Sequence, residues 1–141
     1  MINQKNNYYI WDKNDKLPIN NYFNTSEFTC KCKYDTCKEQ KIAIELIDLL
    51  TKIREEIQTP ITITSGFRCQ EHQAFLRSSG VNTVVAKKST HELGDAADAK
   101  APKLQLSDFL LVSEKYFLSI GLANTFLHLD LRKDKKRRWK Y

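Results

Sequence analysis

Apolar positions set the reading of this chain. Ile42, Leu46, Leu49, Leu50, Ile53 and Ile57 recur at steps of three and four, which predicts a helix from about Lys41 to Ile57, closed by Pro60. Ile61-Thr62-Ile63-Thr64 alternates apolar with polar and is β-branched throughout, so it predicts a strand ended by Ser65-Gly66. A second helix is expected over Gln70–Ser79, stopped by Gly80, followed by a surface loop over 81–90. A third is expected from Ser107 as N-cap through Phe109, Leu110, Val112, Tyr116, Phe117 and Ile120, with Gly121 closing it. Phe126–Leu131 alternates again, and a last strand is expected near Arg137–Tyr141. Helices mixed with short strands, without repeated βαβ spacing, predict an α+β fold: a small antiparallel sheet with flanking helices. Residues 1–25, polar with scattered aromatics (Tyr8, Tyr9, Trp11, Tyr22, Phe23), read as an irregular arm on a single domain spanning 26–141.

Composition narrows the class. The 141 residues are 41% hydrophobic and 28% charged, enough for one domain with its own core and against wholesale disorder. No apolar run approaches the ~20 residues of a membrane span, and the opening residues lack the apolar core of a signal peptide. The net charge of +6 is concentrated between Arg132 and Lys140, where seven Lys or Arg residues face one acid, Asp134. Such a run fits a solvated terminal strand, or a contact with anionic wall polymers, nucleic acid or a membrane surface.

Chemistry concentrates in two segments. Along 126–131 a strand places Leu127, Leu129 and Leu131 on one face and Phe126, His128 and Asp130 on the other. The segment Ser89-Thr90-His91-Glu92-Leu93-Gly94-Asp95-Ala96-Ala97-Asp98 holds another of the chain's three histidines. His91, Asp98 and His128 together make a two-His, one-carboxylate set of the kind that holds catalytic zinc. A competing parse pairs His91 with Asp95 on a helix, with Glu92 as base. The four cysteines, Cys30, Cys32, Cys37 and Cys69, suit either a structural metal site or disulfides. His72 reads as a packing or capping residue.

The pattern Ser89-x-His91-x-x-Gly94-x-Ala96-x-Asp98 resembles the signature of the M15 metallopeptidases, the zinc D-alanyl-D-alanine carboxypeptidases and related peptidoglycan endopeptidases, phage endolysins among them. Ile61–Arg68 resembles the strand and S-G-[YF]-R turn of that family, Phe126–Asp130 its late H-x-D strand, and Arg138-Trp139 the ending of one branch. Glu27-Phe28-Thr29-Cys30 and the leading helix also fall in the family's order, so the resemblance covers about 22–141. It implies one catalytic Zn2+ on His91, Asp98 and His128, and a hedgehog/DD-peptidase-like fold. Arg68 is implied to bind a substrate carboxylate or stabilise the oxyanion, and Ser89 either to sit beside the substrate or to serve as an N-cap or turn residue. Thr125 stands where many relatives have an acid, which leaves Asp130 as the catalytic base or an orienting acceptor, and Glu92 in reserve. The activity implied is zinc-dependent hydrolysis of a peptide bond in the peptidoglycan stem. A monomer is expected, made in the cytoplasm and acting on the wall after holin-type release or as a virion-associated enzyme. A zinc-holding binding module on the same scaffold is the alternative; a nucleic-acid binder would leave the histidines and Asp98 unexplained.

Overall fold

The computed structural model describes residues 1–78 and 89–141. Most of the loop expected at 81–90, and the end of the second helix, lie outside the described residues. The elements are β1 (Asn3–Lys5), β2 (Tyr8–Asp12), α1 (Thr25–Phe28), β3 (Glu39–Ala43), α2 (Ile44–Ile57), β4 (Thr62–Ser65), α3 (Gln70–Ser78), β5 (Ala96–Lys100), α4 (Leu106–Ser113), β6 (Ser119–Leu122), β7 (Leu127–Asp130) and β8 (Arg137–Lys140). They form a three-stranded sheet, β1-β2-β3, and a five-stranded sheet, β4-β5-β7-β6-β8. The expected α+β class is what the chain adopts. Pairing is antiparallel throughout except that β8 lies parallel to β6.

Three expectations give way to tertiary pairing. The irregular arm is instead a hairpin, turned by Asn6 and Asn7 in the left-handed region (φ 53° and 71°), whose second strand pairs with β3. Residues 41–43, expected to begin the helix, belong instead to that partner strand. Ile42 fits a period of two as well as a period of 3.6, so pairing with Tyr9 decides the matter. The helix therefore starts at Ile44 and runs to Ile57, with Gln58 as a left-handed cap before Pro60. The third helix stops at Ser113, whose carbonyl accepts from both Tyr116 and Phe117, and Ile120-Gly121 belong to β6.

The core lies between α2 and the large sheet. Leu46, Ile47, Leu50 and Ile53 form the buried stripe of α2. They share one cluster with Ile63, Ala97, Ala99, Ile120, Leu127 and Leu129, and with Trp11, Phe28 and Phe109. β7 is the middle strand of five and is buried along its whole length, so both of its faces are covered. Its leucines fill the core, and His128 and Asp130 project from the other side into a second buried space.

Candidate metal centre

One row of residues crosses the whole large sheet. Ser65 pairs with Asp98, Asp98 with His128, His128 with Gly121, and Gly121 with Trp139. The alternation of each strand thus delivers Asp98 and His128 side by side on one face. Small residues on either side of Asp98, Ala97 and Ala99, let the opposite face pack closely. Gly121 leaves room for an indole: a Cβ there would stand 2.6 Å from Trp139 Cε2. The Trp139 ring accordingly lies against His128, centroids 5.3 Å apart, and Tyr141 continues the aromatic wall.

His91 arrives from a turn rather than from the sheet. Residues 90–94 form consecutive turns, with Gly94 at φ 76° and pressed against the Lys41 backbone. The helical His91–Asp95 pairing is therefore not formed, and Asp95 instead accepts the Tyr8 hydroxyl at 2.6 Å. Ser89 uses its Oγ to accept the His91 amide at 3.1 Å, the turn role that was one of its two expected roles. Glu92 sits in the same turn, half-buried. Among the described residues no hydrogen bond or ion pair ties its carboxylate to the ligand set. His72 stacks on Phe75, away from the centre.

Three bare acceptors converge. His91 Nδ1 donates to the Gly66 carbonyl at 2.7 Å, which leaves Nε2 unprotonated in the neutral ring. His128 Nε2 donates to Asp130 at 2.8 Å, which leaves Nδ1 unprotonated. His91 Nε2 and His128 Nδ1 stand 3.2 Å apart, and Asp98 Oδ1 lies 3.3 Å and 3.1 Å from them. Ligand atoms on a tetrahedral zinc at ~2.0–2.1 Å stand about 3.3 Å from one another. Lone pairs aimed at a common point at that spacing repel unless a cation lies between them, and all three residues are buried. The donor set fits a borderline metal such as zinc.

At Asp98 and His91 the electrostatics agree with ligand duty. Burial alone would push the Asp98 pKa up, but the two imidazoles overcome it and hold the carboxyl well below the usual carboxylate range. Burial pulls His91 down, whereas at His128 the Asp130 and Asp98 carboxylates outweigh burial and push the pKa up. Asp130 is also ionised: burial is outweighed by hydrogen bonds from His128 and Arg132.

A family model described as Peptidase M15 matches residues 21–130. The chain belongs to the M15 peptidase family. No curated protein and no solved structure matches it. M15 peptidases are metal-dependent, and the buried ligand set is where this member can hold its metal.

Asp130 and Arg68 take different places around the ligand set of the M15 site. Asp130 is on the far side of His128 from the convergence point, and its oxygens also accept Arg132 Nε at 3.0 Å and a terminal Arg132 nitrogen at 2.8 Å. Its contacts are those of an orienting acceptor. Arg68 is held beside the ligands, with Nε on Ser65 Oγ (3.1 Å) and its terminal nitrogens on Gln73 Oε1 and Asp98 Oδ2 (3.3 Å each). These contacts use three of its five N–H donors. Sequence reasoning missed Arg132 and the Gly66 carbonyl. Arg132 read as one charge in a basic run, and a carbonyl carries no sequence signal.

Proposed function

We propose that this M15 peptidase is a zinc enzyme that hydrolyses a peptide bond in the stem of bacterial peptidoglycan, of D,D-carboxypeptidase or endopeptidase type and of the endolysin-like branch. The observation that carries the metal half of this reading is the convergence of three acceptor atoms, 3.1–3.3 Å apart, on one buried point. The wall substrate is supported by the ordered motifs, from the Ser65-Gly66-Phe67-Arg68 turn to His128-x-Asp130, that resemble peptidoglycan-cleaving members.

His91, Asp98 and His128 would hold the ion. When bound, it supplies Lewis-acid polarisation of the scissile carbonyl. Arg68 keeps one N–H on each terminal nitrogen for an oxygen of the substrate, either a terminal carboxylate or the oxyanion that develops at the carbonyl. Its three anchors keep the guanidinium in place before substrate arrives, so little reorganisation is needed. Asp130, braced by Arg132, keeps the proton of His128 on Nε2 and so keeps Nδ1 available. Trp139 and Tyr141 form an apolar wall against which a stem peptide can lie, excluding water from one side.

Purified peptidoglycan, digested by wild type, by the His91→Ala variant and by chelator-treated protein, tests this reading, with products identified by mass spectrometry. New free amines and defined stem fragments from the wild type alone are expected. Intact stems with metal bound would make the chain a zinc-holding binding module.

A further inference from the structure

A second convergent cluster lies outside the peptidase site. Cys30, Cys32 and Cys37 come from the segment between α1 and β3, and Cys69 from the turn between β4 and α3. All four are buried free thiols, and their sulfurs lie within 4.8 Å of one another. Cys32 and Cys69 Sγ are 3.6 Å apart, close to the about 3.8 Å separating two thiolates on one tetrahedral zinc with ~2.3 Å bonds.

The donors around the four sulfurs are those that would serve metal-bound thiolates. Each sulfur receives an N–H donor: Cys30 from the Cys69 amide, Cys69 from the His72 amide, Cys37 from Gln40 Nε2, and Cys32 from the Lys13 ammonium. A neutral thiol is a weak acceptor, so four donors aimed at four sulfurs are far better used by anions. Outer donors of this kind orient metal ligands, and the ammonium offsets part of the excess negative charge four thiolates would carry.

Packing makes the same point. The cysteines form a cluster separate from the main core, and among the described residues Phe67 is its single other member. Residues 29–38 carry no helix or strand. An irregular segment with so little apolar area needs another tie, and a metal is the usual one where cysteines are not cross-linked.

We propose that Cys30, Cys32, Cys37 and Cys69 hold a structural zinc ion that pins the segment before β3 to the Gly66–Cys69 turn. The metal site stands independently of the peptidase reading; its consequence for catalysis rests on that reading. That consequence is positional. Cys69 adjoins Arg68, the Arg68 amide donates to the His91 carbonyl at 3.2 Å, and the Gly66 carbonyl accepts from His91 Nδ1. The ion fixes one end of the turn whose other atoms orient the catalytic ligands.

Metal-stripped, reduced full-length chain titrated with cobalt(II) tests the proposal by absorption and by elemental analysis. Wild type is expected to take up two equivalents and to show the near-ultraviolet thiolate-to-cobalt charge-transfer band. His91→Ala should bind one equivalent and keep the band, and Cys37→Ser should lose most of it. Binding by the wild type without that band overturns the proposal, as does recovery of the cysteines as disulfides from reducing expression. Absence of the His91-dependent equivalent with the band intact would count against the catalytic centre alone.

Discussion

His128 is gripped from both ring nitrogens, and the order of those contacts determines what it can do. Nε2 gives its proton to Asp130, so Nδ1 faces His91 and Asp98 as a bare acceptor. In Asp130→Asn the amide can donate to Nε2 instead, which drives the proton onto Nδ1 and opposes a metal. Metal affinity should fall roughly 10–100-fold, the usual scale for losing such a partner, measured by competition with a chromophoric chelator. Unchanged affinity would show that the carboxylate is only structural. Arg132 contributes here too, since its amide, Nε and one terminal nitrogen make three further contacts on Asp130, and it reaches Ser119 Oγ at 3.2 Å.

At the scale of elements, short segments join the two sheets to the centre. Helix α1 is capped by Asn24, with Glu27 completing a capping box, and it packs on β4 through Phe28. Gly66 passes so close that a Cβ would meet Phe28 Cα at 2.6 Å. Gly66→Ala must therefore separate α1 from β4. A cost of about 1–3 kcal/mol is expected, seen in denaturant melts, together with weaker metal binding, because the carbonyl that holds His91 moves. The small sheet is tied to the strand bearing Asp98 by the Tyr8 hydroxyl on Asp95. Burial first, and then Asp95, pushes the Tyr8 pKa up to about 12. A folded pKa raised above the unfolded value of 10.0 adds stability that is full below pH 10 and is lost as pH rises towards 12. Tyr8→Phe should flatten the alkaline arm of the stability profile between those values. An identical profile in the variant would mean that the contact does not form in solution.

Across the whole molecule, the basic run is much less cationic than its sequence suggests. Arg132 pairs with Asp130, Arg138 with Glu114, Arg137 with Asp134 and Lys133 with Glu45, and Arg137–Lys140 form the edge strand β8. Charge counted along the chain missed acids supplied from elsewhere in the fold. The basic run is thus a paired edge strand, as its end was expected to be, with Lys135 and Lys136 exposed beside it. Among the described residues no helix is long and apolar enough to cross a membrane. Metal should also stabilise the fold as a whole. Zinc at ~100 times its dissociation constant is worth about 2.7 kcal/mol through mass action. Chelation should lower the melting temperature reversibly, and a melt insensitive to both chelator and zinc would argue against folded-state metal binding.

Much of this protein was legible in the order of its residues. The α2 stripe, the alternation of β4 and β7, and the spacing of Ser89, His91, Gly94, Ala96 and Asp98 are local patterns, and local patterns survive in one dimension. They predicted the α+β class, the M15 resemblance and the residues that converge. What needed the fold was everything decided by a partner distant along the chain. Glu39–Ala43 is a strand because β2 lies beside it, and Gly121 is bare because Trp139 crosses it. Asp130 meets His128 on the ring nitrogen opposite the convergence point because β7 sets the two on one face and Arg132 occupies its other contacts. A residue's type states which bonds it can make; only the neighbours that tertiary packing brings within 3 Å or so determine which of those bonds it has left.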